Sequence, residues 1–182
     1  ALDIGMGVPR FKVKDAYLKN GGHVFSSNFA LYGDMSARVM HVLETIAPSV
    51  EVYSIDEAFL DLDRLDKNFD LYKFGCYVKS IVKQWTGVPV RVGIAPTKTL
   101  TKVAIYQVKK LNVATGVVRL ANTADIIKAL SLTPVGEVWG VGRRLNQHLQ
   151  KAGIITALDL AQCSPEHIRQ KFSIVLERTV RE

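Results

Sequence analysis

The sequence predicts an α+β fold: a mixed or antiparallel sheet covered by helices, followed by a small all-helical region. Three observations predict it. Up to residue 120, apolar residues alternate between helical spacing and short β-branched runs, in the order helix, strand pair, helix, strand, helix, strand. After Asn122 the patterns are helical, with no convincing strand. The chain has 182 residues and is 48% hydrophobic, enough for one large or two small domains with a sizeable core.

The elements follow in order. Residues 1–22 are Gly-rich and read as irregular, with Val8-Pro9 as a turn. A first helix is expected across Leu31 to Ile46. Tyr32, Met35, Val39, Val42, Leu43 and Ile46 fall at three- and four-residue spacings, and Pro48 stops it. Val50 to Leu62 reads as two strands meeting at a tight bend near Ser54 to Glu57. A second helix covers about Asp70 to Thr86. Gly87-Val88-Pro89 leads into a strand over Val90 to Ala95. A basic helix runs from about Thr97 to Lys110, and Val117 to Leu120 is a short strand. The change of character near Leu120 to Thr123 places a boundary there, giving segments 1–30, 31–121 and 122–182.

The formal charge is +7, which favours a polyanionic partner or a plain basic surface. Cys76 and Cys163 have no second thiol nearby, and the four histidines lie at no metal-ligand spacing. All six read as structural or surface residues, and a reducing, cytoplasmic setting fits. No run of about 18 apolar residues suggests a membrane span, and no signal peptide opens the chain.

Asp56 and Glu57 are adjacent carboxylates within an otherwise apolar strand pair. In a regular strand they would point to opposite faces, but a bend lets their oxygens converge. Convergent carboxylates suit Mg²⁺, which takes one or two of them plus substrate phosphates. A solvated acidic turn is the alternative, since Asp is common in turns.

Val92 to Ala104 reads as a strand, a turn and a helix start, with Thr97 as N-cap. Lys98 and Lys102 share a face, and Lys109 lies two turns beyond Lys102. They suit a triphosphate or a DNA backbone, or form a solvated face. Further on, Val135 to Arg144 reads as helix, Gly-X-Gly hairpin, helix. Gly140 and Gly142 permit a tight turn, and amides of the following helix, with Arg143 and Arg144, can hold a phosphate. Such a helix-hairpin-helix positions DNA without reading its sequence. An ordinary helix turn is the alternative. Gly153 is expected to end that helix, with two short helices following over Thr156 to Gln162 and Pro165 to Phe172.

Tyr53-Ser54-Ile55-Asp56-Glu57-Ala58-Phe59-Leu60-Asp61 resembles the second catalytic carboxylate motif of Y-family, lesion-bypass DNA polymerases. Val92 to Ala104 is similar to their palm motif, and Val135 to Arg144 to their thumb. Ala1-Leu2, Met6-Gly7, Pro9 and Phe11 look like part of the fingers, and His23 to Asn28 like the approach to the palm. Phe172 to Glu182 resembles the thumb end of UmuC-type members, the catalytic subunits of bacterial DNA polymerase V.

The resemblance implies a partial polymerase palm followed by a helical thumb. It implies template-directed nucleotidyl transfer past damaged bases, in the setting of SOS mutagenesis. By the same resemblance, Asp56 is a ligand shared by two Mg²⁺ ions and Glu57 a ligand of the catalytic one. Lys109 contacts the incoming triphosphate. Lys98 and Lys102 lie close to DNA, as do Gly140, Gly142, Arg143 and Arg144. The implied partners are primer-template DNA, a deoxynucleoside triphosphate, a UmuD-type accessory subunit and a recombinase filament.

The family's first metal-binding aspartate, its aromatic steric gate and its little finger have no counterpart among these 182 residues. The chain by itself is therefore expected not to extend a primer. A non-catalytic DNA-binding module and an interaction module for a recombinase filament or accessory subunit are the competing readings. The acidic pair distinguishes them, because carboxylates beside a phosphate-binding surface would repel DNA unless they held metal.

Overall fold

The computed structural model describes residues 2, 4–5, 7–63, 65 and 69–182. Its contacts group into two units, Ala1–Asp34 and Met35–Glu182.

In the first unit, helix α1 spans Arg10–Lys19, where the sequence led us to expect irregular chain. Pro9 stands just before it, at φ −57°, where a missing amide N–H does no harm. Only Tyr17 of this helix is buried, so it has no apolar stripe for periodicity to reveal. Of the residues read as finger-like, Ala1 and Met6 lie outside the described residues.

Helix α2 spans Phe29–Ile46 and starts at Asn28, whose Oδ1 accepts from the Leu31 N–H at 3.0 Å. The second unit begins within it. Strands β1 (Ser49–Ser54) and β2 (Glu57–Asp61) pair antiparallel across a tight turn, as expected. Helix α3 (Leu71–Thr86) is capped by Asp70, which accepts from the Tyr72 and Lys73 amides. Met40, Val42 and Leu43 of α2 meet Val78 and Val82 of α3 in one core. Val50, Ala58 and Leu60 from one face of the β1–β2 ladder pack against it.

Strand β3 (Val92–Ile94) is shorter than expected and pairs in parallel with β4 (Val117–Arg119). Helix α4 (Lys98–Lys110) makes the crossover that a parallel pair requires. Thr97 caps α4 by accepting from the Leu100 amide. The α+β class holds, but the single expected sheet is two separate two-stranded ladders among the described residues. The tight turn commits β1 and β2 to each other, and the α4 crossover commits β3 to β4. No described strand bridges them.

Gly93 shows how closely β3 and α4 pack. A Cβ there would stand 2.6 Å from the Thr101 carbonyl oxygen and 3.0 Å from Ala104 Cβ. Gly93→Ala is therefore expected to destabilise the fold by about 1–3 kcal/mol through overpacking, read as a lower urea midpoint at unchanged slope.

The remaining chain is helical: α5 (Thr123–Ser131), α6 (Arg143–Lys151), α7 (Ala157–Ala161), α8 (Pro165–Lys171) and α9 (Ile174–Arg181). Side chains of Asn122, Thr156, Ser164 and Ser173 cap four of them. At α7, Thr156 and Asp159 form a reciprocal capping box. Amide donors from Thr156 and Ile155 pull the Asp159 carboxyl below its ordinary value. Val135, Val138, Leu149, Ile154, Leu160 and Ile168 form the centre of a second core.

The element before the Gly-X-Gly loop is a 3₁₀ turn at Val135–Glu137, not an α-helix. Pro134 precedes it and Val138 is extended, so the helix expected there has no room to form. Gly153, at φ +81°, follows the end of α6, as expected.

Two features tie the helices to the β3–β4 layer. Leu130 packs against both the core around Leu149 and a third one formed by Val103, Ala104, Leu120 and Ala129. Buried Gln107 of α4 donates through Nε2 to the Ala129 carbonyl at 3.1 Å and to Thr133 Oγ1 at 2.8 Å.

Candidate functional site

The β1–β2 ladder has two different faces because side chains alternate along a strand. Val50, Ala58 and Leu60 go to the core. Glu51, Tyr53, Glu57 and Phe59 serve the other face, towards α4. The register places Glu51 opposite Phe59 and Ser54 opposite Glu57, with an irregularity between Val52 and Ser54. That irregularity sits at the tip, where Ile55 and Asp56 form the turn.

Asp56 and Glu57 are both exposed at this tip. Asp56 Oδ1 accepts from Ser54 Oγ at 2.7 Å. Glu57 Oε1 lies 2.7 Å from Lys102 Nζ. On the same face, Lys98 Nζ contacts both Glu51 oxygens, at 2.7 and 2.6 Å. Lys98 and Lys102 therefore face the ladder together, as their four-residue spacing predicts, but each already has a carboxylate partner.

Lys102 is the more enclosed of the two, its side chain 18% exposed against 45% for Lys98. Its ammonium lies 4.6 Å from the ring centre of Tyr53, 5.5 Å from Phe59 and 5.7 Å from Trp139. These rings form an edge-packed cluster, with Tyr53 and Trp139 centred 5.3 Å apart at 86°. Trp139 Nε1 donates to the Tyr53 hydroxyl at 3.0 Å. The Gly-X-Gly loop is thus pinned to the carboxylate-bearing ladder by its own tryptophan.

Within that loop Gly140 has φ +87°, a left-handed conformation that favours glycine. Gly142 is the N-cap of α6 and, lacking a side chain, cannot accept from the first-turn amides. Arg143 and Arg144 are exposed at that helix start. The start of α4 differs. There Glu182 accepts from the Thr99 amide at 3.1 Å and the Thr99 hydroxyl at 2.6 Å, so the chain's own carboxylate holds the place of an anion. Lys109 is exposed near the far end of α4, seven residues and about 10 Å along the axis from Lys102.

Among the described residues, no group of three or more His, Cys, Asp and Glu side chains could hold a metal ion. The donor set at the tip is two carboxylates. That suits Mg²⁺, which uses one or two carboxylates and completes its shell with waters and substrate phosphates. It does not suit a closed structural zinc site, which needs four protein ligands.

Glu51, Tyr53, Phe59 and Trp139 are site residues that motif spacing missed. Alternation places Glu51 and Tyr53 with Glu57, and is the signal that could have found them. Trp139 comes from 86 residues beyond Tyr53, and no local pattern announces it.

Comparison with known proteins bears on the family and the fold. Residues 1–106 match the impB/mucB/samB family. The chain is 52% identical over its whole length to the ImpB protein of Salmonella typhimurium and 50% identical to UmuC of Salmonella typhimurium strain LT2, and it spans 43% of each. In fold it is similar to a DinB family error-prone DNA polymerase from Sulfolobus solfataricus. The TM-score is 0.78 at 23% identity, over 99% of this chain and 54% of that one. The chain spans less than half the length of the ImpB and UmuC proteins, and it belongs to the impB/mucB/samB family.

Proposed function

We propose that this chain carries the second carboxylate motif and part of the DNA-holding surface of a lesion-bypass DNA polymerase. The observation that carries the reading is the exposed Asp56–Glu57 pair at the β1–β2 tip, next to the Gly-X-Gly loop, in a member of this family. A module that only bound DNA would have no use for two carboxylates at that position. On this reading, residues 31–121 are the palm, 122–182 the thumb and 1–30 part of the fingers.

Asp56 and Glu57 would hold Mg²⁺. When bound, it supplies Lewis-acid activation of the primer 3′-hydroxyl and neutralises charge on the leaving pyrophosphate. The protein's own part is positional. The tight turn fixes where the two carboxylates sit, and the β1–β2 ladder sets them against a packed core. Lys109, exposed near the end of α4 with no carboxylate in contact among the described residues, is suited to meet a triphosphate as a point charge. Gly142, Arg143 and Arg144 are suited to meet a DNA phosphate with backbone amides and guanidinium groups. Lys98 remains the DNA-proximal candidate of the pair, with its partner Glu51 lowering the net charge there, while Lys102 is enclosed beside Glu57. The parent protein's partners would be primer-template DNA, a deoxynucleoside triphosphate, a UmuD-type subunit and a recombinase filament.

Primer-template binding tests the reading. Fluorescence anisotropy across salt, with and without Mg²⁺, is expected to show salt-sensitive binding by the chain. Arg143→Glu together with Arg144→Glu should weaken it and reduce the log–log salt slope by about 1–2, one unit per lost phosphate contact. Binding that is absent, or that the double variant leaves unchanged, would remove the loop from the DNA interface.

A further inference from the structure

Lys102 stands out because its surroundings are not those of a DNA contact. A lysine that grips phosphate as a point charge must present its ammonium to the phosphate rather than to a carboxylate of its own protein. Here the ammonium is held 2.7 Å from Glu57 Oε1 and lies within 6 Å of the centres of three rings. Each ring presents a negative face to a cation, and the arrangement fixes the ammonium more firmly than one ion pair would. Lys98, on the same helix face, touches one ring and is far more exposed.

The contacts of Lys102 join two things otherwise far apart in sequence. One is Glu57, at the tip of the ladder. The other is Trp139, in the Gly-X-Gly loop and bonded to the Tyr53 hydroxyl. Lys102 engages Glu57 through Oε1, and the Glu57 side chain stays 44% exposed, open to a cation from solvent. A carboxylate held in this way has a fixed rotamer, and such outer partners set the orientation of metal ligands.

We propose that Lys102 is a positioning residue. It orients Glu57 for a divalent cation and couples that orientation to the loop through Trp139. The inference rests on the proposal that Asp56 and Glu57 hold metal. It assigns Lys102 away from the DNA backbone and makes metal occupancy legible at the loop.

The test uses the whole chain and Mn²⁺ as probe, with free Mn²⁺ counted by its electron paramagnetic resonance signal. The chain has two tryptophans, and Trp85→Phe leaves Trp139 as the sole emitter. Lys102→Met is expected to weaken Mn²⁺ binding about tenfold, the usual effect of losing an outer partner. Mn²⁺ should change Trp139 emission in the parent and not in Lys102→Met. Lys102→Arg, which restores the charge, should recover part of both effects. Circular dichroism and melting temperature establish that each variant is folded, and Lys102→Gln, which also removes the charge, takes the place of Lys102→Met if that variant is not. Mn²⁺ affinity unaffected by Lys102→Met, or by Lys102→Gln in that case, but lost in Glu57→Gln, would overturn the role of Lys102 and leave the metal reading standing. No Mn²⁺ binding by the parent chain would overturn both.

Discussion

On the proposed polymerase reading, Asp56→Ala in a polymerase that carries this chain is expected to lower nucleotide incorporation by at least about a hundredfold while leaving stability nearly unchanged. The reasoning starts from how little Asp56 does for the fold. It is exposed, it sits in the turn between β1 and β2, and it hydrogen-bonds to the neighbouring Ser54 hydroxyl. Surface substitutions of this kind usually shift stability by less than about 0.5 kcal/mol. A group that stabilises developing charge in a transition state is worth about a hundredfold or more in rate. Single-turnover primer extension, paired with a melting curve, separates the two effects. Incorporation within about threefold of the parent would show that Asp56 is only a turn residue.

Leu149→Ala should have the opposite profile, with a large loss of stability whatever the activity. Leu149 is fully buried on α6 and packs among Val135, Ile154, Leu160 and Ile168. Removing a buried leucine side chain costs about 2–5 kcal/mol, from lost transfer energy and the cavity left behind. That is a large part of the roughly 5–15 kcal/mol that holds a typical domain together. Leu132→Ala, at a site 51% exposed, is the control and should change stability by less than about 0.5 kcal/mol. Urea denaturation gives both values. A Leu149→Ala cost below about 1 kcal/mol would contradict the packing of this core.

Much of this architecture is legible in the sequence because its signals are local. The spacing in α2, the caps at Asp70 and Thr97, and the alternation on either side of Asp56 each lie within a few residues. Helix α1 escaped because it buries one side chain and has no stripe. The 3₁₀ turn at Val135–Glu137 is three residues long, too short for any period to distinguish it from the start of a helix. At the site, the carboxylates and lysines were recognisable by type and spacing, but their pairing was not. Lys98 meets Glu51 across 47 positions, and Tyr53 meets Trp139 across 86. Such pairings follow from how β1, β2 and α4 stack, and composition or periodicity does not encode them. A basic helix face that looks ready for DNA can instead be partly neutralised by the protein itself.

The Gln107 bridge bears on how such proteins can be recombined. A junction near residue 122 looks natural, because the strands end there. Yet Gln107 bonds to a carbonyl and a hydroxyl that lie beyond it, and Leu130 belongs to the cores on both sides. A chimera joined at 122 inherits its glutamine from one parent and its Thr133 from another. A residue other than Thr133 that lacks a hydroxyl leaves the buried amide with only the Ala129 carbonyl to bond. Joined after Thr133, the hybrid keeps bridge and shared leucine from a single parent. The seam of heredity therefore lies about one helix later than the seam of secondary structure.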